Sequence, residues 1–251
     1  MENLTGIILT HNNEKTIIDS LSSMADLVSE LIIVDDFSTD QTLNIIQSNY
    51  PMTRIVKRKL TRFDQQRNYA LSLAKHDWVI MIDSDEVVTS ELAESIRMAK
   101  DSDNIDGYWV VRLNKTFSGY LPENNPDKII LFRRKLKFIN PVHECLAIDY
   151  SKTEKLAGLL KHEGWFSMFE DVNKMNKYSD LIAIKWFEQK RRYNNFQLFI
   201  FSLAFPLVYF FDCLFKKGYY RLGLSGWVYS IYGAMSWSIV ILKYKELQKN
   251  N

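Results

Sequence analysis

Four short apolar runs interrupt the first hundred residues, and each is followed by a polar loop and a stretch with helical periodicity. The runs cover residues 4–9, 30–34, 54–57 and 78–82. Nearly continuous apolar strands that alternate with helices are typical of a parallel sheet covered on both faces, because both sides of each strand are then buried. The sequence therefore predicts an α/β fold with a mostly parallel sheet flanked by helices.

The stretches between these runs predict four helices, at residues 15–27, 41–48, 63–74 and 91–100. Asp40 and Ser90 stand where N-caps are expected, since a short oxygen-bearing side chain can accept a free backbone amide of the first turn. Strand-like segments follow at 107–115, 128–133 and 142–149. We therefore assign residues 1–165 to one α/β domain and residues 166–251 to a C-terminal helical region.

Polar residues follow the predicted strands at the edge where ligands bind in sheets of this kind. They occupy positions 10–13, 35–40 and 83–86. Neither G-x-G-x-x-G nor a P-loop occurs in the sequence, so a nucleotide bound here needs another counter-charge for its phosphates. Asp83-Ser84-Asp85 can supply it through a hard divalent cation that carboxylate oxygens hold against a diphosphate. The alternative is that these residues only form turns and helix caps.

Several motifs follow one another in a defined order along nearly the whole chain. They read LIIVDDFSTDQT at 31–42, QQRNYAL at 65–71, DWVIMIDSDE at 77–86, FRR at 132–134, PVHE at 141–144, LKH at 160–162, GYYRLGLSGW at 218–227 and LKY at 242–244. This set resembles the family 2 glycosyltransferases of the GT-A fold, a Rossmann-like sheet. More narrowly, it is similar to a bacterial subgroup that includes lipopolysaccharide-core β-glucosyltransferases.

The resemblance implies roles for individual residues around a nucleotide-diphosphate sugar, with UDP as the expected nucleotide. Thr10 and Asp35 match positions that hold the base and ribose, and Arg67 and Asn68 line the same pocket. Asp83 matches the carboxylate on the ribose or sugar side. The expected ligands of a Mn²⁺ or Mg²⁺ ion are Asp85 and His162, and imidazole suits Mn²⁺ in particular.

The implied reaction is an inverting transfer of a hexose, which needs a base for the acceptor hydroxyl. Glu144, in Pro-Val-His-Glu, is the candidate for this catalytic base. The alternative is that Glu144 only pairs with Arg133, Arg134 or His143. Asp127 is a second candidate base.

The C-terminal quarter is basic and rich in aromatic residues. Residues 190–251 contain nine Lys and Arg residues against two acidic ones, and they hold sixteen of the 34 aromatic residues. The stretches 193–211 and 222–242 contain no charge, and such runs favour lipid over nucleic acid as the partner. Because spanning would place Lys216, Lys217 and Arg221 on the far side, we expect helices that lie on an anionic membrane surface. A buried hairpin or a homo-oligomer interface is the alternative.

We expect a cytoplasmic protein, peripheral on the inner face of the cell membrane. The first residues lack the basic region and apolar core of a signal peptide, and Cys145 and Cys213 form no disulfide framework. The expected acceptor is a lipid-linked or lipopolysaccharide-type glycan. Two other interpretations are a nucleotidyltransferase on a similar sheet and a non-catalytic membrane-bound partner protein.

Overall fold

The computed structural model describes residues 3–99, 104–116, 119–140, 145–164, 168–189 and 193–249. The chain divides into two compact units. The first comprises Met1–Lys115 and Pro122–Gly164, and the second comprises Thr116–Leu121 and Trp165–Asn251.

An eight-stranded sheet forms the centre of the first unit, with the order β3-β2-β1-β4-β7-β6-β10-β5. Its first four strands in this order run parallel, whereas β7 is antiparallel to β4 and β5 is antiparallel to β10. This mostly parallel sheet confirms the predicted fold class. The strands are β1 Leu4–Thr10, β2 Glu30–Asp35, β3 Arg54–Lys57, β4 Trp78–Asp83, β5 Glu86–Val88, β6 Gly107–Thr116, β7 Gly119–Arg133, the short pair β8 Phe138–Ile139 and β9 Cys145–Leu146, and β10 Thr153–His162.

Helices cover both faces of this sheet because successive strand residues point to opposite sides. In β1, Ile8 joins a hydrophobic cluster with α1, α2 and α4, whereas Ile7 joins a second cluster with α3. Both isoleucines are fully buried. The helices are α1 Ile17–Ala25, α2 Thr42–Asn49, α3 Phe63–Leu73 and α4 Ser90–Met98.

The predicted helix starts need two corrections. Ser90 is the first residue of α4, and the cap is Thr89, whose hydroxyl accepts the Leu92 amide. The N-cap position of α2 is Gln41. Asp40 lies one residue earlier and accepts the amide of Thr42 at 3.0 Å. At α4 the backbone path selects Thr89 in place of its neighbour Ser90, whereas at α2 the predicted Asp40 still accepts a hydrogen bond from the first helical residue although it lies one position before the N-cap.

Three long helices make up most of the second unit: α5 Met168–Glu188, α6 Asn195–Phe211 and α7 Leu224–Lys249. Asn194 and Gln197 form a capping box at the start of α6. The core of this unit is aromatic, with Trp186 at ring-centroid distances of 5.9 Å from Tyr244 and 6.2 Å from Trp237. Tyr244 is fully buried.

A π-helical turn, Asp212–Lys216, extends α6. Among the described residues, the combined segment Asn195–Lys216 is the one helix long and apolar enough to cross a membrane. Few of its residues are buried, so its apolar side chains are largely exposed in the isolated chain.

Candidate active site

The loops after β1 and β2 meet because their strands are parallel neighbours, with Thr10 opposite Asp35. Thr10 and Asp35 are both buried. The Asp35 carboxylate accepts hydrogen bonds from the Ser38 amide and hydroxyl. The backbone of Asn12 has a positive φ of 54°. Its side-chain oxygen accepts a hydrogen bond from the Thr39 amide at 2.7 Å. The two predicted nucleotide-binding residues thus lie side by side at the ends of their strands, next to loops that these hydrogen bonds hold together.

Asn13 links this pair of loops to the loop after β4. Its side-chain oxygen accepts hydrogen bonds from the Thr10 hydroxyl at 3.1 Å and from the Ser84 hydroxyl at 2.8 Å. The His11 amide donates to the same oxygen. One amide side chain therefore positions the Asp-Ser-Asp segment relative to the first strand.

Two cations hold the first aspartate of that segment. Asp83 accepts hydrogen bonds from Arg67 Nη2 at 2.9 Å and from Lys128 Nζ at 2.7 Å. Burial alone would raise the pKa of Asp83, but the charges of Lys128 and Arg67 outweigh it and hold this pKa well below its usual range. Arg67 also lies over the Phe138 ring, 5.4 Å from its centroid. Both oxygens of Asp83 are thereby directed to fixed protein cations.

Glu86 follows Asp83 by three residues and is fully buried. Its carboxylate accepts hydrogen bonds from the Asp83 amide at 2.9 Å and from Lys128 Nζ at 2.7 Å. Arg112 Nε on β6 lies 3.2 Å from Glu86 Oε1. A buried carboxylate is costly unless cations and hydrogen bonds compensate it, and here two cations and a backbone amide do so.

The second aspartate turns to a different partner. Asp85 Oδ2 lies 3.1 Å from His162 Nε2, and the opposite ring nitrogen, Nδ1, lies 3.0 Å from Asn114 Oδ1. His162 ends β10, where it stands opposite Asn114 of β6 and Glu86 of β5. The structure thus brings together the two residues for which the sequence predicts metal ligation, 77 positions apart.

The Asp85 and His162 side chains suit a divalent ion by donor type, since carboxylate oxygen and imidazole nitrogen both bind Mn²⁺. Their separation also agrees, because adjacent ligands of an octahedral ion with bonds of about 2.1 Å lie about 3 Å apart. Within the described ranges, no cluster of three or more His, Cys, Asp or Glu side chains is arranged to hold a metal. Among the described residues, two side chains with suitable donor atoms meet here, and substrate or water oxygens would have to complete the coordination of any ion.

Other predicted site residues have different surroundings. Asn68 exchanges two hydrogen bonds of 2.8 Å with the backbone of Phe138 and so fastens β8 to α3. Arg133 lies over the Trp78 ring, and Arg134 lies near Asp77. Glu144 and His143 lie outside the described residues, as does the side chain of Asp127.

Sequence reasoning gave no individual role to five residues of this site, although it placed the first of them in the polar loop at 10–13: Asn13, Lys128, Arg112, Asn114 and Gly164. Each is a single residue without a motif of its own, and its role depends on the strand order. For two of them, the position in the sequence relative to a predicted site residue is a signal that could have been used. Asn13 belongs to the same post-strand loop as Thr10, and Gly164 follows two residues after the Leu-Lys-His motif.

Comparison with known proteins gives the class of this arrangement. The glycosyl transferase family 2 profile matches residues 5–156. The chain belongs to this family, and it is a glycosyltransferase.

Two curated relatives match nearly the whole chain. The lipopolysaccharide core biosynthesis glycosyltransferase LpsC of Rhizobium meliloti is 30% identical over 243 residues, which is 92% of this chain and 88% of that protein. An uncharacterized glycosyltransferase of Rickettsia typhi is 27% identical over 98% of this chain and 88% of its own length. Among solved structures, Staphylococcus aureus TarS 1–349 in complex with UDP-GlcNAc aligns with a TM-score of 0.49 at 13% identity, covering 99% of this chain and 92% of that one.

The cluster around Glu86 gives a stability prediction. Glu86→Gln removes the negative charge that compensates Lys128 and Arg112, so we expect a loss of about 3 kcal/mol in unfolding free energy, at the low end for a broken buried ion pair. Urea denaturation measures it. Glu94→Gln is the matched control, because Glu94 is exposed and pairs with Arg97 on the surface; its change should stay within about 0.5 kcal/mol. Equal midpoints for both variants would show that the cluster is not stabilising.

Proposed function

We propose that this glycosyltransferase moves a hexose, with inversion, from a UDP-linked donor to a lipid-linked or lipopolysaccharide-type acceptor, using Mn²⁺ or Mg²⁺. One observation carries the proposal. In this family 2 chain, the aspartates of Asp83-Ser84-Asp85 have different partners: Asp83 pairs with Arg67, and Asp85 lies against His162. This combination of a divalent-ion ligand pair and a cation-held carboxylate suits a nucleotide diphosphate.

The donor nucleotide is assigned to the loops at the carboxyl ends of β1, β2 and β4. Thr10 and Asp35 are the proposed contacts to base and ribose, and their pairing across two parallel strands supports this. Arg67 and Asn68, on consecutive positions of α3, line the same pocket in this proposal. Asp83 is assigned to the ribose or sugar side, where Arg67 and Lys128 hold its carboxylate in one orientation.

Asp85 and His162 are the proposed residues that would hold the divalent ion. When bound, the ion neutralises charge on the diphosphate leaving group. The donor atoms of these two side chains face each other at 3.1 Å, and neither side chain is fully buried. Both side chains are therefore partly accessible from solvent.

Glu144 is the proposed catalytic base. The acceptor hydroxyl oxygen forms a bond to the anomeric carbon, the bond from that carbon to the diphosphate oxygen breaks, and the hydroxyl proton passes to the Glu144 carboxylate. Attack opposite the leaving group inverts the anomeric configuration. The electron pair of the broken bond leaves with the nucleoside diphosphate.

The acceptor class rests on the relative whose name states lipopolysaccharide core biosynthesis, which matches 92% of this chain. A membrane-bound acceptor agrees with the surface of the second unit. Each of two helices has a row of exposed apolar side chains at helical spacing; the rows are Phe196, Phe199, Leu203, Leu207 and Phe211 on α6, and Leu224, Trp227, Ile231, Met235 and Leu242 on α7.

A bilayer with anionic headgroups is the proposed partner of these rows, on the cytoplasmic face of the cell membrane. Lys216 follows the α6 row with 85% of its side chain exposed, and Arg221 follows shortly after it. The sequence cluster at 190–192 adds cations before the row. Apolar rows with cations at their ends suit the interface of an anionic membrane.

Asp85 gives the first test of the donor site. Wild-type protein should gain about 2.7 kcal/mol of unfolding free energy with UDP and Mn²⁺ present at 100 times their dissociation constant, and Asp85→Asn should lose the Mn²⁺-dependent part of this gain. Thermal denaturation with UDP, GDP, CDP and dTDP, each with and without Mn²⁺, measures it. Asp77→Asn is the control, since Asp77 is exposed at the opposite end of β4. No shift with any nucleotide would contradict the donor site proposed here.

Glu144 gives the test of the chemistry. Glu144→Gln keeps the size of the side chain but removes the proton acceptor, so transfer should fall by at least about 100-fold, the low end for loss of a general base. Nucleotide affinity should stay within about twofold. A radiolabelled-sugar transfer assay and a UDP titration measure the two quantities. Undiminished transfer would remove Glu144 from the mechanism and direct attention to Asp127.

The apolar rows give the test of the membrane contact. Replacing Phe196, Leu203 and Leu207 with serine should abolish sedimentation with phosphatidylglycerol vesicles, because the exposed apolar area on α6 is lost while the buried core is untouched. Met52→Ser together with Met98→Ser is the control, as both methionines are exposed in the first unit. If wild-type protein does not bind the vesicles and is a dimer in their absence, the rows are instead the contact surface for a second copy of the chain.

A further inference from the structure

Two residues outside the predicted ligand set border the Asp85 and His162 pair. Asn114, on β6, meets His162 from one side, and Gly164, two residues after His162, meets both Asp85 and His162 from another. Neither carries a charge. Their positions bear on the metal site of the proposed function, and the inference below rests on that proposal.

Asn114 determines which imidazole nitrogen is available. Its side-chain oxygen lies 3.0 Å from His162 Nδ1. Because an amide oxygen can only accept, this contact is a hydrogen bond when the ring proton of neutral histidine is on Nδ1. Nε2 then carries the lone pair, and Nε2 is the nitrogen that faces Asp85 Oδ2. Hydrogen bonds of this kind fix the tautomer and the ring orientation of metal-binding histidines.

Gly164 determines the space in front of the two donor atoms. A Cβ at this position would lie 2.9 Å from Asp85 Oδ2 and 3.1 Å from His162 Nε2. Both distances are shorter than ordinary van der Waals contacts, so any side chain would push the donors aside or fill the volume that both of them face. The φ of Gly164 lies outside the left-handed region, and the backbone itself would therefore accept alanine.

We infer that Asn114 and Gly164 are positioning residues for a divalent cation at Asp85 and His162. Asn114 presents the Nε2 lone pair, and Gly164 keeps open the volume in which the ion meets both donor atoms. Glycine is required at position 164 by the ion and not by the chain conformation. The substrate class this serves is a nucleotide diphosphate, whose oxygens need the cation.

Binding of Mn²⁺ alone, and of Mn²⁺ with UDP, tests the inference without an activity assay. Electron paramagnetic resonance of free Mn²⁺ gives the dissociation constant for the full chain and its variants. We expect Gly164→Ala and Asn114→Leu to weaken Mn²⁺ binding at least about tenfold, the scale on which outer partners of metal ligands act. Asn114→Asp retains an oxygen acceptor for Nδ1, so it should remain within about threefold of wild type.

The variants separate the possible failures. If Asp85→Asn loses Mn²⁺ but Gly164→Ala and Asn114→Leu bind as wild type does, the positioning roles are wrong and the metal site stands. If Asp85→Asn binds Mn²⁺ as wild type does, the metal site of the proposed function is wrong, and this inference with it. Circular dichroism and urea midpoints measured in EDTA establish whether each variant folds. If Gly164→Ala is unfolded, the comparison of Mn²⁺ affinity between Asn114→Leu and Asn114→Asp decides. Equal affinities of these two variants would overturn the inference.

Discussion

A buried carboxylate with two cationic partners organises the site. Glu86 on β5 accepts the amide that ends β4 and pairs with Lys128 of β7 and Arg112 of β6. In low dielectric this arrangement is stable only while every partner stays in place. Because these partners come from strands distant in sequence, the position of Asp83 follows from the packing of the whole sheet half and not from its own loop.

The two aspartates of one short motif consequently have different surroundings. Asp83 is directed to Arg67 and Lys128, which hold its pKa low, whereas Asp85 faces the imidazole of His162. A carboxylate already bonded to two fixed cations is a poor ligand for a third. Two carboxylates only two positions apart thus have different partners, because the neighbouring strands place their charged side chains differently around each.

Much of the first unit could be predicted from the sequence. The apolar runs match β1 to β4 to within a residue or so, because strands buried on both faces need apolar residues at nearly every position. By contrast, β10 was not predicted, since Thr153–His162 mixes lysines and glycine with its leucines. Its insertion between β6 and β5 places His162 beside both Asn114 and Asp85. For the site, the resemblance carried by the ordered motifs predicted Asp85 and His162 as metal ligands. Isolated residues such as Lys128 and Gly164 belong to no motif that could have predicted their place in the site.

The sequence by itself determined the alternation of strands and helices, the family, and the residue types that gather at the carboxyl ends of the strands. Periodicity and motif order suffice for these, because burial and chain direction are local properties. Only the tertiary structure decided which side chains meet. Lys128 lies between Asp83 and Glu86, and the uncharged residues Asn114 and Gly164 border the two predicted ligands. Such pairs depend on strand order and register, which arise from long-range packing that no local pattern encodes.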